Sequence, residues 1–457
     1  MHIETQTGVI ERGPDRRARY AAGKALRQIV PRETLADFTP AANRNALAII
    51  AETERDRIQS LLPLRRKSMA ESPHAFLRGA ADVMAADLAT QPAPGIRAQV
   101  CGDCHLMNFG AFISPEGHAL FDVNDFDETL PEVDVTIDLR RFATSVVLAA
   151  LGAGKSERGA RAVARAAVKA YRRAVIELAS LTPLQAWNRR VPLRDVVAKL
   201  RNRVLHQAVR AVASARQSED DCADNFPKVV QGDAGARRIE DKRPRLFHLD
   251  DGAADQFDVD GLIAAAFANL PPHVASLLRR YHLADIAFKA VGVGSVGTYC
   301  TIALFLSPDE EPLFLQVKEA KRSVLERFGL GAWRGAQGER VVGGQRMMQA
   351  ASDIFLGPMR DPASKREFYM RQLKTRRLGG LTELLQNHDL LDYAKLCGRT
   401  LARAHARSAD AMTLAGYMGK SEAFDDALVS FAILYARQNA EDYIAFCAQH
   451  GATPALP

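Results

Sequence analysis

Two carboxylates and an amide are spaced for phosphoryl chemistry early in this chain. They lie in Gly102-Asp103-Cys104-His105-Leu106-Met107-Asn108 and in Phe121-Asp122-Val123-Asn124-Asp125-Phe126-Asp127. Moving a phosphoryl group needs one carboxylate to orient the attacking hydroxyl, and oxygen ligands to hold Mg²⁺ against the phosphates. Asp103 suits the first task as base. Asn108, further along the same loop, suits the second, together with a carboxylate at the end of the strand that follows. Asp125-Phe126-Asp127 has the form of the Asp-Phe-Gly metal turn of kinases, with aspartate in the place of glycine. Asp122 competes with Asp125 for the metal. His105 either acts as a catalytic base or supports the loop by hydrogen bonding to Asp103 or a backbone carbonyl.

A second cluster lies far downstream at Gly292-Val293-Gly294-Ser295-Val296-Gly297. Such a glycine pattern serves dinucleotides when a helix follows it. Here Thr298 to Leu306 is β-branched and aromatic, which predicts a strand. Strand, glycine loop, strand is the kinase version, in which Gly292, Gly294, Ser295 and Gly297 lie over the phosphates of ATP. Next comes Leu313-Phe314-Leu315-Gln316-Val317-Lys318, an apolar strand ending in a lysine placed to grip the phosphates. That lysine needs an orienting glutamate, expected to be Glu339, with Glu326 as the alternative.

Several elements must position these residues. Phe76, Leu77, Ala80, Val83, Met84 and Leu88 recur at three- and four-residue spacing, which predicts one helix over residues 72–90. A strand over 96–100, a hairpin of 109–113 with 118–123, and helices over 134–215 with breaks near Gly152, Pro183 and Pro192 follow. Residues 217–256 read as a loop carrying a short hairpin. A helix is expected near 260–281, strands at 286–293, 298–306, 312–317 and 367–373, and helices at 339–351 and 381–449. Residues 1–60 read as a polar arm followed by a helix near 40–61. The expected organisation is therefore this arm, a C-lobe-like region at 61–284, a β-rich nucleotide-binding region at 285–380, and C-terminal helices at 381–457. The fold class is α+β, a two-lobed protein-kinase-like fold with a mostly helical C-lobe. Its order is circularly permuted, because the catalytic-type loop precedes the glycine loop and lysine.

The chain has 457 residues, 47% hydrophobic and 25% charged, with a formal charge of +7. A globular protein is expected, and the short basic runs exclude a nucleic-acid-binding face. No apolar run is long enough to span a bilayer and no export signal is visible, so a cytoplasmic location is expected. Six scattered cysteines suit a reducing compartment. Cys101-x-x-Cys104-His105 meets the rule for covalent haem attachment, but that chemistry needs export; a redox pair of this spacing opens a helix, whereas residues 107–113 read as extended.

Residues 71–79, 102–110, 121–129, 291–298 and 316–320 together resemble a bacterial family catalogued as domain of unknown function 2252, over roughly residues 50–450. The motifs are also similar to those of aminoglycoside phosphotransferases and choline kinases. Asp138, in Ile137-Asp138-Leu139-Arg140, follows Asp125 at the distance seen in those enzymes, which favours Asp125 over Asp122 as metal ligand. Cys101 stands where aminoglycoside phosphotransferases have histidine. The expected activity is Mg²⁺-dependent transfer from ATP to a hydroxyl of a small molecule or protein. The alternatives are a catalytically silent nucleotide-binding module, a nucleotidyl transferase and a Cys-x-x-Cys redox protein.

Overall fold

A computed structural model describes residues 13–197, 229–248, 259–290, 292–373 and 389–455. The readings of 198–215, of much of 217–256 and of the first residues of 381–449 lie outside these. Four short strands, β1 (Arg97–Val100), β2 (Phe109–Ile113), β3 (Ala119–Val123) and β4 (Leu130–Asp134), pair antiparallel as β1 with β4 and β2 with β3. This nesting brings the two early motifs together. The loop 101–108 leaves β1 for β2, the turn 124–129 leaves β3 for β4, and the two pairings lay loop and turn side by side. The hairpin register is Phe109↔Val123 through Ile113↔Ala119, with the turn eased by Gly117 at φ +74°.

Behind these strands lies a helical core. Helix Glu157–Ala179 is capped by Ser156 and buries Ala160, Val163, Ala164, Ala167, Val168, Tyr171 and Val175 at three- and four-residue spacing. Helices Thr136–Gly152, Leu390–His405 and Ala423–Gln449 pack with it. Thr136–Gly152 is buried nearly all round, yet it carries Asp138, Arg140 and Arg141. Charges so placed require partners.

Two expectations give way here. The single helix over 72–90 is two helices, Pro73–Gly79 and Ala81–Leu88, broken at Ala80, whose φ −116° and ψ 46° lie outside the helical region. Arg65 Nη2 donates to the Gly79 carbonyl at 2.6 Å, taking up an acceptor that the break exposes. The polar arm contains a capped helix, Arg16–Ile29, seated on helix Ala411–Met418. Tyr20 and Leu26 pack against the core there, and glycines allow close approach: a Cβ on Gly23 would meet the Thr413 carbonyl, and one on Gly416 would meet that of Tyr20.

The second half forms a six-stranded antiparallel sheet. Its strands are β7 (Leu246–Phe247), β8 (His282–Lys289), β9 (Cys300–Leu306), β10 (Pro312–Glu319), β11 (Gly357–Arg360) and β12 (Glu367–Gln372), in the order β11-β12-β10-β9-β8-β7. A small separate hairpin, β5 (Val230–Gln231) with β6 (Arg238–Ile239), precedes it. Side chains of β10 alternate between faces. Leu313, Leu315 and Val317 pack towards helices Val259–Asn269 and Pro272–Leu278, while Phe314 and Lys318 point to the other side. The helix expected at 339–351 runs Gln337–Met348 and leads into β11. The fold is thus mixed α+β. Among the described residues no helix is long and apolar enough to cross a membrane.

Candidate active site

The loop after β1 is held by buried polar groups. Cys101 and Gly102 donate their N–H groups to the two oxygens of Asp138 at 2.8 and 2.9 Å. Asp138 also meets His405 Nε2 at 3.1 Å, and His405 Nδ1 meets the Tyr171 hydroxyl at 2.9 Å. Three helices therefore fix one stretch of backbone through a chain of satisfied polar groups, which makes it rigid. Gly102 sits at φ +81°, and a Cβ there would lie 2.2 Å from the Glu128 carbonyl. Only glycine lets the loop lie against the turn that follows β3.

Asp103, at the tip of that loop, accepts from Arg141 Nε at 2.5 Å, and Arg141 Nη2 donates to the Leu77 carbonyl. Burial raises the Asp103 carboxyl above its ordinary range, with Arg141 opposing and Asp125 adding to the rise. His105 Nε2 stands 3.7 Å from Asp103, too far for a hydrogen bond, and its Nδ1 accepts the Met107 N–H at 3.1 Å. Burial, with Arg78 and Arg141 nearby, holds His105 well below its usual pKa, so the ring is neutral. His105 thus makes its hydrogen bond to the loop backbone. Asn108 donates its amide to the Asp103 carbonyl at 2.5 Å and accepts Asn124 N–H at its own carbonyl at 2.8 Å, which ties loop to turn.

On the turn, Asp125 keeps more than a third of its side chain exposed and stands 3.7 Å from Lys318 Nζ. Asp127 is the more engaged carboxylate. It accepts from Lys318 Nζ at 2.5 Å, Tyr369 hydroxyl at 2.6 Å and Ser295 Oγ at 3.2 Å. Arg340 Nη2 fixes its backbone carbonyl at 2.8 Å. Burial pushes the Asp127 carboxyl up, but Lys318 and Tyr369 outweigh burial and hold it below the usual carboxylate range. Burial works against the charge on Lys318 too, and Asp125 and Asp127 overcome it, so the ammonium is charged at neutral pH. The register Lys318↔Tyr369 between β10 and β12 sets lysine and phenol side by side.

The glycine loop joins β8 to β9, with Gly292 at φ +59° and Gly297 at φ +88°. A Cβ on Gly294 would lie 3.2 Å from the Arg78 carbonyl and 3.9 Å from Asp103 Oδ2, so the loop tip reaches the catalytic-type loop. The loop carbonyls are taken from outside. Arg65 donates to Val293, Arg57 to Val296 and the Ile58 N–H to Gly297, at 2.7–2.8 Å. A trans peptide sets its N–H opposite its carbonyl. The N–H edge of the 293–294 peptide therefore points away from Arg65. The groups around Asp103, Asp125 and Lys318 thus lie side by side, and positions 127 and 318 touch although 191 residues separate them.

Two expected members stand elsewhere. Glu339 is exposed at the start of its helix, with its carboxylate near Gly335, and makes no contact with Lys318. Glu326 accepts from Ser323 N–H and Trp333 N–H instead. The lysine takes Asp127, which the tight turn after Asp125 already places beside it. Asp122 is buried against Arg403 and accepts the Ala350 N–H at 2.9 Å, so both its oxygens are committed to the core. Removing one member of such a pair costs about 3–5 kcal/mol. Asp122→Ala is expected to lose that much in urea unfolding; a loss under about 1 kcal/mol would return Asp122 to the open ligands.

Sequence reasoning missed Asp127, Tyr369, Arg141 and Arg371 as members of this cluster. Arg371 Nη1 donates to the Asn124 carbonyl at 3.1 Å. The signal for Asp127 was present: an aspartate in the glycine position of the Asp-Phe-Gly form. Cys101 and Cys104 lie buried beneath the loop; burial raises Cys104 to about 11 and holds Cys101 well above its usual value, so both stay thiols at neutral pH.

A family model described as "Uncharacterized protein conserved in bacteria (DUF2252)" matches residues 57–449. No curated protein and no solved structure matches the chain.

Proposed function

The chain belongs to this bacterial DUF2252 family, and from that premise we propose that its cleft is a kinase-like site transferring a phosphoryl group from Mg·ATP to a hydroxyl. The contact between the Lys318 cluster and the Asp103–Asp125 cluster carries the reading. Its parts match the roles phosphoryl transfer requires: a glycine loop between antiparallel strands, a lysine on the strand after that pair, and a catalytic-type loop and metal turn opposite. Their order along the chain makes the arrangement a circular permutation of the kinase one.

The residues fit the ligand. Asp103, Asp125 and Asp127 face Lys318, Arg141, Arg78 and Arg371, so carboxylates that could hold a metal stand beside cations that could hold phosphate oxygens. Asp125, the most open carboxylate, and the Asn108 side chain would hold Mg²⁺. Mg·ATP supplies the transferable phosphoryl group and neutralises its charge. Lys318 has three donors, so it can keep Asp127 while contacting a phosphate. Asp103 receives or orients the hydroxyl proton, and Arg141 fixes the carboxylate for that task. The glycine loop excludes water above Asp103.

A second reading, nucleotide binding without turnover, is favoured by one observation: no helix glutamate among the described residues pairs with Lys318. Nucleotidyl transfer uses the same parts and is separated by product, since phosphoryl transfer releases ADP and nucleotidyl transfer releases pyrophosphate. The test is Mg²⁺-dependent ADP release by parent protein and Asp125→Asn. Loss of a metal ligand should raise the Mg²⁺ requirement by on the order of a hundredfold. Equal Mg²⁺ dependence in both proteins removes Asp125 from the metal, and absent turnover with intact Mg·ATP binding selects the silent module.

A further inference from the structure

The stretch His74-Ala75-Phe76-Leu77-Arg78 borders the site, and the Arg78 side chain has so far entered only as a nearby charge. It forms the short helix Pro73–Gly79, whose last turn lies under the tip of the glycine loop, with the Arg78 carbonyl facing Gly294. The Arg78 side chain is half-buried. Its Nε is fully buried without a partner, and its guanidinium makes no hydrogen bond and no ion pair within 4.0 Å to any described residue. Neighbouring arginines differ. Arg65 is engaged by Val293 and Gly79, and Arg141 by Asp103 and Leu77.

The charges facing Arg78 are Asp103, Asp125 and Glu71, which attract it, and Arg141, which repels it. His74 lies four residues earlier, on the same helix face, and its buried Nε2 also lacks a partner. Burial and the nearby Arg78 and Arg141 lower His74 to about 4, so it is neutral and can donate one ring N–H. Arginine cannot shed its proton, and a partly desolvated guanidinium left unpaired is unfavourable. An anion with planar oxygen pairs would satisfy it, and phosphate matches the fork of the side chain.

We propose that Arg78, with His74 beside it, is a phosphate site at the catalytic end of the cleft that takes the terminal phosphoryl group of the nucleotide. For its ligand this rests on the phosphotransferase reading; as an anion site it stands on the unpaired guanidinium alone. Arg78 neutralises the charge on that group's oxygens where Asp103 would otherwise repel them. Two arms test the site on the full chain.

The first arm follows thermal unfolding with added inorganic phosphate. The parent midpoint should rise and saturate, Arg78→Met should abolish the rise, and Arg78→Lys should keep part of it. Without phosphate, Arg78→Met should melt no lower than the parent. A phosphate response unchanged in Arg78→Met overturns the site.

The second arm compares Mg·ATP and Mg·ADP affinity by calorimetry. Arg78→Met should weaken ATP at least tenfold and leave ADP within about twofold. Loss of the phosphate response with both nucleotides unaffected overturns the assignment to the terminal group and points to a phosphate carried by the acceptor. A parent that binds neither nucleotide sinks the phosphotransferase reading, while the phosphate arm still decides whether Arg78 is an anion site.

Discussion

Asp103→Ala is expected to lower ADP release by on the order of 10²–10⁴-fold while leaving Mg·ATP affinity nearly unchanged. The loop that carries Asp103 is fixed through Asp138, His405 and Tyr171, so the carboxylate is held before any ligand arrives. Arg141 sets its direction from one side, and Gly294 closes over the other. Alanine also strands Arg141, so Asp103→Asn serves as the second variant, keeping shape and a hydrogen-bond acceptor. Both should lose turnover alike. Turnover within threefold of the parent in a folded Asp103→Asn would remove the residue from the chemistry.

Lys318→Met should weaken Mg·ATP binding and destabilise the protein by roughly 3 kcal/mol at neutral pH, the low end for breaking a buried pair. The low end applies because Asp127 keeps about 25% of its side chain exposed. The pH dependence gives a sharper signature. In the parent, the Asp127 carboxyl lies below its unfolded value. Its contribution is therefore present above the unfolded carboxylate pKa and is lost as pH falls through the folded one. Without Lys318, burial is the largest remaining influence and raises the carboxyl. The same residue should then favour folding as pH falls. Unfolding free energies measured from pH 7 to pH 4 should show the penalty of Lys318→Met shrinking on acidification. A pH-independent penalty would mean that Asp127 is not the partner that matters.

Much of the frame was legible because its signals are local. The apolar run Leu313 to Val317, the β-branched and aromatic run Thr298 to Leu306, and the Gly292–Gly297 loop before it located β8, β9, β10 and their loop to within a few residues. Ser114-Pro115-Glu116-Gly117 announced the β2–β3 hairpin.

What escaped depends on contacts across the chain. Only a family resemblance favoured Asp125 over Asp122 in sequence; the physical reason lies far downstream, where Arg403 claims Asp122. The partner of Lys318 follows from how the turn after β3 meets β10, and no spacing rule shows that. Helix Arg16–Ile29 was hidden because its arginines make the segment polar on average, although Tyr20 and Leu26 pack inward and Gly23 lies against Ala411–Met418. Nothing in the sequence distinguishes Arg78 from its neighbours; its buried Nε and its lack of a partner among the described residues follow from the fold.

Hydrogen exchange of the full chain with and without a non-hydrolysable Mg·ATP analogue tests most directly whether the two clusters serve one ligand. Slowed exchange should appear together in residues 101–108, 124–128 and 292–298, with little change in the core of helix Glu157–Ala179. Protection of the glycine loop alone, or of the Asp103 loop alone, at saturating ligand would contradict a shared nucleotide cleft.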